Sequence, residues 1–241
     1  MATKSYLGKG TIYVEERDSG NGLISIGNCS NLDFAFNEDK KEQKDYEEAG
    51  GAVIDSVSRI DSVVASVTAL SLDADNIALA LRGLVNIVAA GAVTGESHTS
   101  VQIGSFVKLD FLMDTSVAPV VTGFVVDVDY TVKNTGLLIL AGGTITSGTD
   151  ITVDYTKLAS SEVEALSAAG KEYTIVFDGL NEADSGKPVA LECHRCKFNP
   201  TQALALISDD FGSLPLSFDV LKDDLITGTG LSKFMKLSLA Q

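Results

Sequence analysis

The sequence contains no tryptophan, and aromatic residues make up only 7% of its 241 positions. A carbohydrate-binding surface relies on exposed flat rings, so this scarcity argues against one. Basic residues are also scarce, because 18 lysines and arginines stand against 33 aspartates and glutamates, which gives a net charge of −15. Such a surface repels phosphate. We therefore expect no surface that grips nucleic acid or anionic lipid.

Cysteine and histidine are rare as well, with three and two residues. An odd number of cysteines in a chain with no export signal indicates reduced thiols rather than a disulfide framework. Cys193 and Cys196 are spaced like zinc ligands, but zinc needs four converging ligands, and only the distant Cys29 and His98 remain. On a regular strand the two cysteines would also point to opposite faces. We expect neither a metal nor a cofactor.

Long hydrophobic runs are absent too. The first residues lack the apolar core of a secretory signal, and the longest uncharged stretch, 134–149, is interrupted by glycines and too short to span a bilayer. We expect a protein that is made and kept in a cytosol and does not associate with a membrane. The string GESHT at 95–99 lacks the second glycine of a nucleophile elbow. No catalytic residues emerge, and we predict that the protein is not an enzyme.

Most of the sequence has the composition and period of β-strands. Segments rich in Val, Ile, Thr, Phe and Tyr alternate with clusters of Gly, Asn, Asp and Ser. Two segments carry helix signals. Asp73 or Asp75 can cap a helix that ends at Gly83 in a left-handed conformation, and Ser161 and Glu164 have capping-box spacing. The sequence predicts a mainly antiparallel β protein with these short helices packed on a sheet.

The segment from 30 to 72 is the most unusual. Apolar and polar residues alternate at its start, the highly charged stretch 38–48 follows as a loop, and an extended run occupies 53–70. As one straight strand this run would measure about 60 Å, against a usual strand of about 5–6 residues. The pattern predicts a long hairpin with a charged, mobile tip, projecting from the body or crossing a sheet shared between subunits. The alternative is two ordinary strands with a break near 59–61.

Short motifs follow one another along the chain in a distinctive order. They are GKGTIYV, LDFAF before the charged stretch, DNIALALRG, AGAVTGE, the pair DVDYTV and GLLIL, then FDGLN, ADSGKPV and LE, and finally RCKFNP and LALISDDFGSLPLSFDVLKD. In this order, and over nearly the whole chain, they resemble the major tail tube proteins of long-tailed, siphovirus-like bacteriophages.

The resemblance implies a β-sandwich or half-barrel tail-tube fold with one flanking α-helix and a long β-hairpin. Subunits of that family form rings, usually hexameric, whose inner strands close into a shared β-barrel. The rings stack into a hollow tube that conducts the DNA genome into the host. The protein would then be a structural component of the virion tail, assembled in the bacterial host cytoplasm.

The length and the resemblance together imply a single tail tube domain over 1–241, with no C-terminal immunoglobulin-like domain. Residues 91–157 hold several β-like segments rich in Gly, Thr and Val, and we interpret them as a possible inserted outer β subdomain. No Pro-rich or Ser-rich linker marks the ends of this segment.

The resemblance also implies partners. These are other copies of the chain, within a ring and between stacked rings, and the tape-measure, tail terminator and distal tail proteins. Phage DNA would pass without specific binding, because an acidic wall repels phosphate.

Two sets of residues are the candidate sites. The candidates for ring-to-ring contact are Glu38, Asp39, Lys40, Lys41, Glu42, Lys44, Asp45, Tyr46, Glu47 and Glu48. The candidates for the lumen are Asp33, Asp55, Ser56, Ser58 and Asp61.

A β-sandwich module that binds carbohydrate or acts as an adhesin is the alternative function. The absence of tryptophan favours the tail tube over this module, because few rings are left to stack on a sugar.

Overall fold

A computed structural model describes residues 5–47, 49–168 and 170–241. In chain order its elements are β1 (Gly8–Glu16), β2 (Ile24–Ser25), β3 (Cys29–Lys44), β4 (Val53–Ala69), α1 (Ala74–Leu81), β5 (Leu84–Val88), β6 (Gly91–Val101), β7 (Phe106–Lys108), β8 (Val120–Val121), β9 (Tyr130–Lys133), β10 (Gly136–Ile139), β11 (Thr149–Lys157), β12 (Ser160–Glu164), β13 (Tyr173–Asn181), a 3-10 turn (Glu182–Asp184), β14 (Lys187–Asn199), β15 (Leu214–Val220) and β16 (Met235–Leu239). The predicted mainly antiparallel β architecture is confirmed.

The chain divides into two compact units. The first combines Met1–Val85 with Val163–Gln241, and the second is Asn86–Glu162. The short strands β5 and β12 pair where the chain passes from one unit to the other and returns. The second unit contains the segment 91–157, whose outer location stays a prediction.

The first unit is built on one large sheet with the strand order β2-β1-β13-β14-β15-β4-β3. Strand β14 lies at the centre of this sheet. β13 pairs along one edge of β14, and β15 and β16 pair with different parts of its other edge. β15 pairs with the last residues of β14, and β16 pairs with Val189–Cys193. Within the part of the chain that the structure describes, the sheet does not close into a barrel.

One face of this sheet carries the core. Alternate residues in the second half of β4, from Val63 to Ala69, are buried there, and a row of edge-to-face aromatic contacts crosses it. The ring centroids of Tyr173 and Phe198 lie 5.2 Å apart, those of Phe198 and Phe218 5.5 Å, and those of Phe34 and Phe218 6.4 Å. Such pairs stabilise by about 0.5–1.5 kcal/mol each beyond the area they bury. Several of the few aromatic residues of the chain are therefore part of this core.

The helix α1 begins as its sequence predicts. Asp73 is the N-cap, and its side chain accepts a hydrogen bond from the backbone N–H of Asn76 at 2.8 Å. Asn76 is buried and its amide nitrogen donates to the carbonyls of Ile26 and Ser71, at 3.0 and 2.9 Å. Asn76 therefore connects the first turn of the helix to the segment that follows β2.

The helix ends differently from its prediction. Arg82, not Gly83, takes the left-handed conformation, with φ of 47°. The Arg82 guanidinium donates to the carbonyl of Phe198 at 2.6 Å, which holds this residue at the helix end. Gly83 is needed for another reason, because a Cβ there would lie 2.7 Å from the carbonyl oxygen of Glu164.

The second predicted helix, from Ser161 to Gly170, is wrong. Residues 160–164 form β12, which pairs with β5, and Leu166 then adopts φ of 58°. A helix of about ten residues is marginal by itself. Pairing with a strand distant in sequence satisfies the same backbone groups and prevails over the capping pattern.

The long hairpin is confirmed, and the alternative of two separate strands is wrong. β3 and β4 pair antiparallel along their lengths, from Cys29 opposite Ala69 to Lys44 opposite Val53. Asn37 pairs with Ser62 and Glu38 pairs with Ile60, so Asp61 is an extra residue at a bulge. The charged stretch was expected to be a loop from Glu38 onward, but it stays in β3 to Lys44 because β4 supplies a partner strand.

The second unit consists of two three-stranded sheets, β7-β10-β9 and β6-β11-β8. Their apolar side chains form a single core around Leu109, Met113, Tyr130 and Ile151. Asp129 is buried beside this core and accepts hydrogen bonds from the backbone N–H groups of Val125 and Thr144. These hydrogen bonds, of which the one from Val125 has the largest effect, hold the pKa of the Asp129 carboxyl below its usual value.

Candidate assembly surface

The outer half of the hairpin is the first candidate surface. We call residues 38–44 and 53–60 and the turn that joins them the distal ribbon. Every residue of its two strands is exposed, although a sheet normally buries at least one face. Both faces of the ribbon are therefore available to another molecule.

Apolar side chains lie on this exposed ribbon. Val53, Ile54, Val57 and Ile60 are about half exposed or more, and Tyr46 in the turn is almost fully exposed. A two-stranded hairpin alone is marginally stable in water, and exposed apolar residues on it indicate a surface that becomes covered. The sequence signal for these residues was the extended run 53–70, whose apolar residues have no consistent face.

The charged side chains of the ribbon interact mainly with one another. Lys40 and Glu42 form an ion pair at 2.7 Å, and the hydrogen bond to Glu42 raises the pKa of Lys40. Ser58 donates to a carboxylate oxygen of Glu38 at 2.6 Å across the two strands. These exposed contacts order the side chains but leave the charges open to solvent.

The structure divides the ring-contact candidates among three places. Glu38, Lys40, Glu42 and Lys44 alternate onto one face of the ribbon, Asp39 and Lys41 lie on the other, and Asp45, Tyr46 and Glu47 lie in the turn. Glu48 lies outside the described residues.

The lumen candidates do not share one surface. Asp33 and Asp55 lie on the face of Asp39 and Lys41, because they pair with Ser66 and Gln43. Ser56 and Ser58 lie on the opposite face, where they pair with Glu42 and Lys40. Asp61 is at the bulge between the two halves of β4. If the ribbon lines a lumen with one face, only part of this set can take part.

A second candidate surface is a groove of about 700 Å³ on the apolar face of the first sheet. Ile12 and Leu191 lie buried at its floor, while Tyr6, Phe36 and Leu237 stand more than half exposed at its margin. Helix α1 packs against the same core, on β14 and β15. Within the described chain no helix or strand covers the groove.

Two paired glycines shape the floor of the groove. Gly10 on β1 lies opposite Gly179 on β13, and the ring of Phe177 lies where their side chains would be. A Cβ on Gly179 would also lie 2.6 Å from the carbonyl oxygen of Lys9. The glycines therefore provide the space that the ring fills.

Substitution of Gly179 by alanine is expected to destabilise the first unit by about 1–3 kcal/mol, because Phe177 and the backbone of β1 must both move. The measurement is urea unfolding followed by circular dichroism. Gly91→Ala is the matched control, because a Cβ there would meet only the Lys157 side chain, at an ordinary contact distance of 4.0 Å, and the backbone conformation needs no glycine. Equal stability of the two variants would contradict this packing role.

The cysteine pair has a geometry that differs from its prediction. Cys196 pairs with Tyr173 and Cys193 with Ile175, so a bulge adds one residue to β14 and turns both cysteines to the same face. Both are fully buried in the core. The contact with Cys193 and the burial raise the pKa of the Cys196 thiol, which disfavours the thiolate that a metal needs.

Other titratable side chains hold the second unit together. Tyr155 donates to Glu96 at 2.5 Å, and His98 lies 2.9 Å from the other oxygen of that carboxyl. Burial and then Glu96 raise the pKa of Tyr155 to about 12. In residues 5–47, 49–168 and 170–241 no three His, Cys, Asp or Glu side chains are grouped as metal ligands. No helix of the described chain is long and apolar enough to cross a membrane.

Comparison with protein families places nearly the whole chain in one group. The family described as protein of unknown function UCP028589 matches residues 5–238. The chain belongs to this family. The match includes the second unit as well as both parts of the first. A search of curated proteins found no match.

Proposed function

We propose that the protein is the structural subunit of the tail tube of a long-tailed, siphovirus-like phage. Copies would form rings, six per ring by the family resemblance, and the rings would stack into a hollow tube. The observation that carries the proposal is the distal ribbon, whose two strands are exposed on both faces while bearing Val53, Ile54, Val57 and Ile60. In a monomer these apolar side chains stay in contact with water, whereas contacts in a polymer can bury them.

The open sheet supports the proposal as well. The outer edge of β3 has no partner strand within the described residues, and the edge of β1 is covered only by the two residues of β2. Unpaired edges invite association with other chains, and ring closure removes them. We infer that this open sheet is the half-barrel that completes a shared barrel in the ring.

The charge of the chain suits a conduit. A net charge of −15 gives a wall that repels DNA phosphates, so that the genome slides rather than binds. Asp33 and Asp55 share a face of the hairpin and are the lumen candidates that remain compatible with one wall. Tape-measure, tail terminator and distal tail proteins would be the other partners of the tube.

The decisive experiment is negative-stain electron microscopy of the purified protein at high concentration, alone and with phage tail extract. We expect hollow tubes of uniform diameter, with the ring symmetry visible in end views. An initiator in the extract would provide a start for assembly if the pure protein stays globular. Globules that also fail to join tubes in the extract would contradict the proposal and favour the carbohydrate-binding or adhesin-like alternative.

A further inference from the structure

An exposed apolar segment lies between β14 and β15. We call residues 204–211 the apolar loop. Leu204 packs against the core, but Leu206, Ile207 and Phe211 are almost fully exposed. A loop normally presents polar side chains to water, and three large apolar side chains on one short loop indicate a contact surface.

The apolar loop and the distal ribbon lie at opposite ends of β4. Just before the loop, the hydroxyl of Thr201 donates to the carbonyl of Pro215 at 2.8 Å. Just after it, Leu214 pairs with Ala69, the last residue of β4. The distal ribbon contains the first residue of that strand, Val53. The length of β4 therefore separates the two surfaces.

One chain cannot bring its apolar loop to the end of its own distal ribbon. β4 has 17 residues, so Val53 and Ala69 are about 53 Å apart on a straight strand, and a right-angle bend at Asp61 would still leave about 37 Å. Ile207 is six residues from Thr201 and can extend only about 20 Å from it. The two surfaces can therefore meet only between different copies of the chain.

One face of the distal ribbon carries apolar side chains beside charged ones. Val53 pairs with Lys44 and Ile60 pairs with Glu38, so both apolar side chains lie on the same face, which we call the Lys44 face. Both are about half exposed. Asp55, a lumen candidate, lies on the opposite face. A contact on the Lys44 face therefore leaves the proposed wall of the lumen uncovered.

The Lys44 face also offers a positive charge. Lys40 on this face is paired with Glu42 at 2.7 Å. Lys44 is exposed and forms no ion pair in the part of the chain that the structure describes. An ammonium group beside exposed apolar side chains favours a partner that combines apolar surface with carboxylates.

The apolar loop has this combination. Asp209 and Asp210 lie between Ile207 and Phe211, and all four side chains are exposed. Neither carboxylate forms an ion pair within residues 5–47, 49–168 and 170–241. A contact through the apolar side chains of the loop would bring both carboxylates toward Lys44.

We propose that the Lys44 face of the distal ribbon of one copy receives the apolar loop of a second copy. The apolar side chains of the loop pack beside Val53, and its two carboxylates face Lys44. Because the two surfaces are different patches at opposite ends of one strand, the contact is head-to-tail and repeats from copy to copy. The contact rests on the proposed self-assembly and specifies which surface the distal ribbon meets.

Cross-linking tests the contact directly. All variants carry Cys29→Ser, because Cys29 is the one cysteine of the three that is not fully buried. Val53→Cys and Phe211→Cys are then combined in one chain. With dioxygen as oxidant and copper phenanthroline as catalyst, two thiols lose two protons and two electrons to oxygen and form a disulfide. We expect a ladder of dimers, trimers and larger species on a non-reducing gel.

Val57→Cys is the matched control for Val53→Cys. Val57 is 52% exposed and Val53 is 48% exposed, but Val57 pairs with Lys41 on the opposite face. Val57→Cys combined with Phe211→Cys should give no ladder, and each single cysteine should give nothing larger than a dimer. Equal ladders from the two combinations, or no ladder from Val53→Cys with Phe211→Cys, would overturn the inference.

Charge reversal tests the same contact without oxidation. Lys44→Glu and Asp210→Lys should each weaken association at least about tenfold in sedimentation, and the double variant should restore most of it. Lys41→Glu makes the same change of charge on the opposite face and should have little effect. All three positions are exposed, so folding should not change. Equal losses from Lys44→Glu and Lys41→Glu would contradict the contact.

The contact and the tail tube can fail separately. If tubes form with wild-type efficiency in Lys44→Glu and in Asp210→Lys, the contact is wrong and the tail tube remains. If the wild-type chain never self-associates, alone or in extract, both proposals fail. Solid filaments that show the ladder of Val53→Cys with Phe211→Cys but have no hollow centre would support the contact and contradict the tube.

Discussion

A variant in which residues 38–61 are replaced by Asn-Gly is expected to remain folded and to lose tube formation entirely. Asn37 and Ser62 are paired in the hairpin, so a two-residue turn can join them. All residues of the two strands that are removed are exposed, and the core therefore stays intact. Tubes are counted by electron microscopy, and folding is checked by thermal unfolding in circular dichroism.

A shorter replacement provides the matched control for this truncation. Exchanging only 45–52 for Asn-Gly keeps both strands of the distal ribbon, because Lys44 and Val53 remain paired. We expect tubes from this control if the strands make the ring contact. Normal tubes from the long truncation would remove the assembly role of the ribbon and of all the ring-contact candidates.

Substitution of Asp223 by alanine is expected to lower the free energy of unfolding of the first unit by about 3 kcal/mol at neutral pH. Its carboxylate accepts from the Arg17 guanidinium at 2.8 Å and from the backbone N–H of Leu225 at 3.0 Å. The side chains of Arg17 and Asp223 are only 18% and 7% exposed. Without the carboxylate, Arg17 keeps the carbonyl of His194 but loses its counter-charge.

The loss should depend on pH with a definite sign. Burial raises the pKa of Asp223, but the hydrogen bonds from Leu225 and Arg17 outweigh it, and the net pKa is lowered. A lowered pKa in the folded state means that the carboxylate stabilises above the ordinary value of about 3.9. As the pH falls through the folded-state pKa this contribution disappears. The stability difference between wild type and Asp223→Ala should therefore be full at pH 7 and vanish in strong acid.

The neighbouring residue is a natural control. Asp224 also forms ion pairs, with Lys222 and Lys233, but its side chain is largely exposed. Asp224→Ala should leave urea unfolding almost unchanged, because exposed pairs are screened by water. If both alanine variants behaved alike, the buried pair would not have the role assigned to it.

The hairpin could be predicted from sequence because its signal is long and local. The apolar alternation of Leu32, Phe34 and Phe36 and the extended run after Gly51 each extend over several residues. The continuation of β3 through the charged stretch could not be predicted, since it depends on pairing with residues of β4 that lie 9 to 22 positions away in the sequence. The same reason explains the second helix, where pairing with β5 decided the structure of 160–164.

The sequence patterns could not predict the bulges or the uncovered surfaces. One inserted residue in β14 turned Cys193 and Cys196 to the same face, and a periodicity argument cannot foresee such an insertion. The groove and the exposed apolar residues of the segment between β14 and β15 were also missed. Asp209 and Asp210 gave their segment the composition of a solvated turn, and the exposure of Ile207 and Phe211 follows from where β14 and β15 end.

The pairing of β1 with β13 has a consequence for how the protein is made. Tyr173 leaves the ribosome about 160 residues after its partner Glu16, which at about 5–20 residues per second is a delay of about 8–30 s. During this time the first strand has only β2 beside it. The strands of the second unit from β6 to β11 pair only among themselves, so that unit can fold while the first still waits for its central strands. Nascent chains are therefore most open to premature association before synthesis reaches β13.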